Sequence, residues 1–265
     1  MVWWRNAIVN PCMITPSTVL ITGAARRLGR ALALDFARAS WRVAVHYGGS
    51  ASDAEAVAAD IRSAGGQAQA LGCDLADAAA VKSFIPRVAA ALGPITCLVN
   101  NASLFVYDDI STLDAAQWDA HQAVNLRAPV LLAQAFAAQI PVNAHGNIIN
   151  IIDQRVWKPT PHFFSYSASK AGLWAVTQTL AQGLAPRIRV NAIGPGPMLQ
   201  SVHQRPEDFD AQVRAVPLER GTSPEEICAA ARFILASPAM TGQMIALDGG
   251  QHLAWATPDI GDGRG

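Results

Sequence analysis

This chain of 265 residues has little charge and little cysteine, and these two shortages exclude several protein classes. Charged residues make up 15% of it, and 20 basic residues balance 20 acidic ones, so no net field attracts nucleic acid or an anionic membrane. The four cysteines lie far apart and include no C-x-x-C pair. We interpret them as small core residues in a reducing compartment, and we predict no metal site.

Long apolar segments and targeting signals are also missing. No apolar run reaches the ~20 residues that cross a bilayer. Residues 1–15 have neither the apolar region nor the cleavage site that is typical of a signal peptide. We therefore expect a cytoplasmic protein without a membrane or nucleic-acid partner.

What the chain has in quantity is apolar side chain, which makes up 51% of its residues. Short apolar segments of strand type alternate with longer helical segments along the whole chain. This alternation predicts an α/β protein with a single-domain Rossmann fold, in which helices cover both faces of a doubly wound, seven-stranded parallel sheet. We assign residues 17–256 to this domain, residues 1–16 to an N-terminal extension and residues 257–265 to a flexible tail.

Local signals place several boundaries in this pattern. Ser52 or Asp53 is expected to cap the second helix, and one long helix is expected over residues 116–139. Residues 194–220 have the glycine and proline content of a polar loop. Ser223 and Glu226 form a capping box that starts the last helix.

The segment from Thr18 to Arg30 has the pattern of a phosphate-binding turn. An apolar strand ends at Thr22, and Gly23 and Gly29 flank a turn that leads into an amphipathic helix. The start of that helix presents free backbone N–H groups, which suit an anionic pyrophosphate. The spacing is T-G-x-x-x-R-x-G rather than G-x-G-x-x-G, with Arg27 at the middle position, so a turn that binds nothing remains an alternative.

The corner after the second strand indicates which dinucleotide would bind. An NAD site usually has Asp or Glu there, to bond the ribose 2′-hydroxyl. Here the corner runs from His46 to Ser50 and contains no acid, while Arg26 and Arg27 lie in the neighbouring turn. The guanidinium of Arg27, together with a hydroxyl, suits a 2′-phosphate, which favours NADPH. The alternative is that both arginines are merely solvated.

Candidate chemical residues follow the fourth and fifth strands. Tyr166 and Lys170 lie four positions apart and share one helix face, where the ammonium would favour a phenolate that can exchange protons near neutral pH. Asp153 follows the fifth strand, thirteen positions before Tyr166. Asn125 is a polar residue inside a helix, either functional or simply bonded within the core.

Together these segments resemble the short-chain dehydrogenase/reductase family over roughly residues 17–255. The matching pieces are Thr22-Gly23 with Gly29, Asp74-Leu75, Asn100-Asn101-Ala102, Asn125, Tyr166 with Lys170, Pro195-Gly196 and Asp248-Gly249-Gly250. The resemblance implies that Tyr166 donates a proton, that Lys170 binds the nicotinamide ribose and lowers the tyrosine pKa, and that Asn125 supports a water-linked proton path. It also implies a homotetramer whose interface is formed by the apolar helices at residues 116–139 and 165–184, and the alternative is that these helices serve the core alone. The cofactor contacts that it implies are Gly23, Arg26, Arg27, Leu28, His46, Tyr47, Ser50, Asp74, Leu75, Asn101, Ala102, Ser103, Tyr166, Lys170, Pro195 and Gly196.

Departures from the family pattern resemble its pteridine reductase subgroup, which includes dihydromonapterin and dihydrofolate reductase relatives. Asp153 replaces the usual serine, Ser103 replaces a glycine, and Arg27 replaces the middle glycine of the turn. In the corner after the second strand, this chain has Gly49 at the position where the subgroup has a basic residue. The resemblance implies that a pterin-like substrate would stack on Phe105. It implies substrate contacts from Arg27, Ser103, Phe105, Asp153 and Tyr166.

The resemblance therefore implies an NADPH-dependent reductase of dihydropterin, dihydromonapterin or dihydrofolate-type rings. The hydride would come from C4 of the nicotinamide, and Asp153 and Tyr166 would supply the proton to a ring nitrogen. One alternative is a reductase of a carbonyl substrate such as a 3-oxoacyl thioester or a sugar ketone. A carboxylate at position 153 argues against that alternative, because it would repel the developing alkoxide. A dinucleotide sensor without catalytic activity is a third hypothesis, which the complete set of Tyr166, Lys170 and Asn125 disfavours.

Overall fold

The structure is a computed structural model that describes residues 17–200 and 205–254. The predicted N-terminal extension, residues 1–16, and the predicted tail, residues 257–265, lie outside the described residues. Within the described part, seven parallel strands form one sheet in the order β3-β2-β1-β4-β5-β6-β7. This confirms the predicted fold. The strands are β1 Thr18–Ile21, β2 Arg42–Tyr47, β3 Ala68–Gly72, β4 Ile95–Asn100, β5 Gly146–Ile151, β6 Ile188–Pro195 and β7 Met244–Leu247.

Helices connect these strands and cover both faces of the sheet. They are α1 Arg27–Arg38, α2 Ala51–Ser63, α3 Ala78–Leu92, α4 Ala115–Gln122, α5 Ala128–Gln139, α6 Phe164–Leu184, α7 Pro206–Arg214 and α8 Pro224–Ala236. Strand side chains alternate between the two faces, so β1 sends Val19 and Ile21 into the core beneath α1 and α8. Leu20 enters the opposite core, against α3 and α5. Burial on both faces explains why the central strands are mainly apolar.

The strand order reverses at β1, which has β2 on one side and β4 on the other. The connections that leave β1 and β4 therefore diverge, and a crevice opens beyond the carboxyl ends of these two strands. This crevice receives the turn before α1, the segment after β4 and the segment after β5. The candidate residues of all three segments therefore lie at the same edge of the sheet, where the carboxyl ends of the strands meet.

Three local predictions need correction. Ser50, rather than Ser52 or Asp53, is the N-cap residue of α2. The single helix predicted over residues 116–139 is interrupted between α4 and α5 by a π-helical turn, Ala123–Arg127. The loop predicted over residues 194–220 contains α7, and this helix has proline at its first turn followed by two acids, a start signal that the loop assignment overlooked.

The capping box at the start of α8 is confirmed, since Ser223 Oγ accepts from the Glu226 N–H and the Glu226 carboxylate accepts from the Ser223 N–H. None of the helices in the described ranges is both long and apolar enough to span a bilayer.

Candidate active site

The turn between β1 and α1 is tight because two glycines are required there. Gly23 has a left-handed backbone, with φ of +63°, and a Cβ on it would lie 3.0 Å from the Cα of Ala102. A Cβ on Gly29 would lie 2.0 Å from the Gly23 carbonyl oxygen. Arg26, the N-cap residue of α1, offers no side-chain cap. The backbone N–H groups at the start of α1 therefore lack a side-chain acceptor at the mouth of the crevice, which suits an anionic ligand.

The segment after β4 is joined to this turn by hydrogen bonds. Asn101 Nδ2 donates to the Thr22 carbonyl over 2.9 Å, and the backbone N–H groups of Asn101 and Ala102 donate to Thr22 Oγ1 over 2.9 and 3.0 Å. Asn101 is thus a structural connector as well as a lining residue of the crevice. These bonds hold the ends of the first and fourth strands together.

Tyr166, Asp153 and Lys170 meet at the carboxyl end of β5. Tyr166 Oη donates to Asp153 Oδ2 over 2.9 Å, and Lys170 Nζ donates to the Ile151 carbonyl over 2.9 Å. The Lys170 ammonium lies 5.6 Å from the centre of the Tyr166 ring. The spacing of these residues on α6 therefore places both side chains as predicted, next to the acid that follows β5.

The protonation state of Tyr166 differs from the expectation based on the sequence. Burial, followed by the Asp153 carboxylate, holds the pKa of Tyr166 well above its usual value, so the neutral phenol is favoured rather than the phenolate. Burial lowers the pKa of Lys170 to about 8, and the Asp153 carboxylate opposes that shift. Tyr166 therefore keeps its proton at neutral pH and donates a hydrogen bond to Asp153, with the Lys170 ammonium close by.

A cleft of about 1100 Å³ connects these parts. It is large for a single small molecule, because typical ligand pockets have volumes of about 300–1,000 Å³. Of the predicted site residues, it brings together Gly23, Arg26, Arg27, Leu28, Asn101, Ala102, Ser103, Phe105, Asp153, Tyr166, Lys170, Pro195 and Gly196. Those that do not line it are His46, Tyr47, Ser50, Asp74, Leu75 and Asn125. Helix α7 closes the far end with Asp208, Phe209 and Gln212, which the loop assignment missed.

Residues 17–209 match the family model described as short chain dehydrogenase. The chain belongs to the short-chain dehydrogenase/reductase family. It is therefore an oxidoreductase.

Relatives with three different names are similar to this short-chain dehydrogenase/reductase. The FolM alternative dihydrofolate reductase 1 of Brucella canis, solved in complex with NADP, is 50% identical, with a TM-score of 0.90 over 94% of this chain and 98% of its own. The 3-oxoacyl-[acyl-carrier-protein] reductase of a Synechocystis strain is 33% identical over 89% of this chain and 97% of its own length. The D-threitol dehydrogenase of Mycolicibacterium smegmatis is 33% identical over 87% and 91%. These relatives are named for different substrates.

The two arginines of the short-chain dehydrogenase/reductase turn point to different places. Arg26 forms an exposed ion pair with Asp53, in the first turn of α2 beside the second-strand corner. Arg27 has a left-handed backbone, and its guanidinium donates to the carbonyls of Leu199 and Gln200 over 3.0 and 2.9 Å. Arg26, rather than Arg27, thus lies at the corner where the sequence interpretation placed the 2′-phosphate. Arg27 instead ties the turn to the segment after β6.

Asn125 lies in the π-helical turn and is satisfied by the protein itself. Its Oδ1 accepts from the Leu104 N–H over 2.8 Å, while its Nδ2 donates to the Leu104 carbonyl over 3.0 Å and to Ser169 Oγ over 3.1 Å. The residue therefore holds the segment that carries Ser103 and Phe105 against α6. A role in a proton path stays a prediction.

An aromatic wall, made of Phe105, Phe163 and Tyr166, lines the cleft beside Asp153. The rings of Phe105 and Phe163 are stacked 4.2 Å apart, and Phe105 meets Tyr166 edge-on at 4.7 Å. Phe163 has a left-handed backbone, with φ of 56°, at the start of α6. Sequence reasoning found Phe105 and missed Phe163, because no local pattern shows that the loop before α6 folds back onto the segment after β4.

Arg155 is a second residue that sequence reasoning missed. Its Nη1 donates to Asp153 Oδ2 over 3.3 Å, and its backbone N–H donates to Asp153 Oδ1 over 2.8 Å. Its guanidinium carbon lies 5.8 Å from the ring centre of Phe105 and 5.3 Å from that of Phe163. A basic residue two positions after the predicted acid was the only signal in the sequence.

Predicted site residues at the ends of the second and third strands lie outside the cleft. Asp74 Oδ1 accepts from the Ala76 N–H over 2.8 Å, and Leu75 is buried. His46 is buried, with its Nδ1 accepting from the Gly23 N–H over 2.9 Å and its Nε2 donating to the Cys73 carbonyl over 3.0 Å. Both ring nitrogens are thus engaged within the protein, and the imidazole positions the Gly23 turn.

We expect His46 to make the protein sensitive to acid. Burial lowers its pKa from 6.5 to about 4, so the unfolded chain binds more protons than the folded protein between these values. The stability contributed by neutral His46 is fully present above pH 6.5 and falls, by about 3 kcal/mol in all, as the pH drops toward 4. Denaturant unfolding at a series of pH values measures this loss.

The control for this prediction is His46→Gln, which keeps a polar side chain but has no imidazole to protonate. This variant should be less stable at neutral pH and should lose less unfolding free energy on acidification than the native protein. Parallel pH curves for the two proteins would show that the acid sensitivity lies elsewhere.

Proposed function

We propose that this protein is an NADPH-dependent reductase of pteridines, acting on dihydropterin, dihydromonapterin or dihydrofolate-type rings. The observation that carries the proposal is the 2.9 Å hydrogen bond between Tyr166 Oη and Asp153 Oδ2 beside Phe105. A pterin offers amino donors and a C=N bond, and a carboxylate can accept from those donors. A ketone would instead develop an alkoxide, which the same carboxylate repels. Similarity to an alternative dihydrofolate reductase at 50% identity supports this choice.

The residues present fit a dinucleotide. The Gly23 turn and the uncapped start of α1 would hold the pyrophosphate, and the ammonium of Lys170 would hold the hydroxyls of the nicotinamide ribose. When bound, NADPH supplies the hydride for the reduction. Tyr166 would give its hydroxyl proton to the ring nitrogen of the reduced C=N bond, and Asp153 would orient both the phenol and the substrate's amino group. Phe105 would offer its ring to the flat face of the substrate.

We expect Arg26 to decide the preference between the two nicotinamide cofactors. Its guanidinium lies at the start of α2, and its partner Asp53 is exposed, so a dianionic 2′-phosphate can compete for it. Arg26→Ala should raise the KM for NADPH by about 10-fold or more and change the KM for NADH little. Arg27→Ala should raise both values together, because it releases the segment after β6. Steady-state kinetics with both cofactors would contradict this assignment if Arg27→Ala alone proved selective.

A substrate panel tests the proposed function. The native protein with NADPH is assayed against dihydrobiopterin, dihydromonapterin and dihydrofolate, and separately against acetoacetyl thioester, the substrate class named for the Synechocystis relative. Turnover of the pteridines well above that of the thioester is expected. The reverse order would establish the carbonyl reductase alternative, and cofactor binding without turnover of any of these substrates would favour a sensor.

The homotetramer that the family resemblance implies stays a prediction.

A further inference from the structure

The chemistry proposed for Tyr166 creates a charge problem in the cleft. When Tyr166 gives up its proton, a phenolate forms next to the carboxylate of Asp153, whose Oδ2 lies 2.9 Å from the phenol oxygen. Two like charges at this distance repel each other strongly in a buried site. Tyr166 is buried, so water cannot remove most of this cost. The protein must supply positive charge close to the pair.

Few charged groups face Tyr166 within the described residues. Lys170, on the same helix, has its ammonium 5.6 Å from the ring centre. His121 on α4 lies 6.4 Å from that ring centre, but its Nε2 accepts from the Val106 N–H and burial lowers its pKa, so it is neutral. The segment after β5 contributes Asp153 and Arg155. Arg155 is thus the second cation near the pair, and it is hydrogen-bonded to the same carboxylate oxygen that accepts from Tyr166.

Arg155 is held in this position from several sides. Its side chain is 17% exposed and lies over the rings of Phe105 and Phe163. Its Nε is buried and has no hydrogen-bond partner in residues 17–200 and 205–254. A buried donor without a partner is costly, so this placement does not maximise the hydrogen bonds of the arginine. It does place a permanent positive charge against Asp153.

We propose that Arg155 is a positioning residue of the reduction. It orients the Asp153 carboxylate beside Tyr166 and offsets the second negative charge that forms when Tyr166 gives up its proton. This inference rests on the proposed role of Tyr166 as the proton donor, and it holds for a pterin or a carbonyl substrate alike. The positive charge of Arg155 also acts to lower the pKa of Tyr166, against the larger effects of burial and of Asp153.

Two substitutions distinguish the effect of the charge of Arg155 from the effect of its shape. Arg155→Met keeps a long side chain against the two phenylalanine rings but removes the charge, and it should lower kcat by about 10–100-fold with little change in KM or in NADPH affinity. Arg155→Lys keeps the charge and should recover most of kcat. Arg62→Met serves as the matched control, because Arg62 forms an exposed ion pair with Glu55 outside the cleft, and it should leave kcat unchanged.

A double-variant comparison excludes a merely structural role. In a Tyr166→Phe protein no phenolate forms, so adding Arg155→Met should lower the residual rate little further. Equal losses in the native and Tyr166→Phe backgrounds, or a lysine variant as slow as the methionine variant, would overturn the proposal. Thermal unfolding and NADPH titration check each variant, and Arg155→Gln replaces Arg155→Met in the same comparison if the latter does not fold.

The choice of substrate keeps this proposal separate from the pteridine assignment. The variants are measured with whichever substrate the native protein reduces in the panel. A protein that reduces only the thioester would overturn the pteridine assignment while the comparison of Arg155 variants still decides the inference. If the native protein reduces no substrate in the panel, both the pteridine assignment and the proposed role of Arg155 are rejected.

Discussion

Tyr166→Phe is expected to lower kcat for pteridine reduction by about 10²–10⁴-fold, the usual contribution of a positioned general acid. The phenol of Tyr166 is buried and is the proposed proton donor of the cleft, and its oxygen already bonds to Asp153. Phenylalanine keeps the ring, and with it the edge-on contact with Phe105. Affinity for NADPH should therefore stay close to that of the native protein. Single-turnover kinetics with saturating NADPH separate the loss in the chemical step from any loss in binding.

Lys170→Ala is the control variant that distinguishes a loss of turnover from a loss of NADPH binding. The Lys170 ammonium is proposed to serve the cofactor and the phenol together, so its removal should weaken NADPH binding as well as turnover. A Tyr166→Phe protein that retains native activity would identify Asp153 as the sole acid, or show that Tyr166 has no catalytic role. A loss of NADPH binding in Tyr166→Phe equal to that in Lys170→Ala would show that the tyrosine acts through the cofactor.

Asp153→Asn is the second substitution with a large expected effect. It keeps the shape of the side chain but removes the negative charge that accepts from Tyr166 and Arg155. A carboxylate can accept hydrogen bonds on two oxygens, whereas an amide can accept on its single oxygen only. The substrate's amino group is therefore held less well, and turnover of pteridines should fall by about 10²-fold or more while NADPH binding is kept. Steady-state kinetics and cofactor titration on the same preparation measure the two quantities.

Asp153→Ser tests the same residue from the opposite direction. It introduces the hydroxyl that the short-chain dehydrogenase/reductase pattern usually has at this position, so a ketone oxygen could be polarised without repulsion from a carboxylate. Pteridine turnover should again fall steeply, and weak turnover of acetoacetyl thioester should emerge. If both Asp153 variants reduced dihydropterins at native rates, Asp153 would be an ordinary residue at a strand end, and the pteridine assignment would lose its main support.

The sequence by itself determined the features that depend on spacing within one element. Gly23 and Gly29 indicated the tight turn, and Tyr166 and Lys170 lie on one face of α6 because four positions make about one helical turn. Short, mainly apolar strands alternate with longer helical segments, which was enough to predict the parallel sheet. The same reasoning failed over residues 116–139, since the interruption there coincides with the bonds between Asn125 and the distant backbone of Leu104.

The tertiary structure decided which side chains meet across elements. Arg26 and Arg27 are neighbours in sequence, yet one pairs with Asp53 and the other reaches the carbonyls of Leu199 and Gln200, 172 and 173 positions away. Arg155 and Phe163 join the site only because the segments after β4 and β5 meet above adjacent strands. Local spacing fixes the direction of a side chain on its own helix or strand. Its partners, and with them its charge state, depend on the order in which the strands pair.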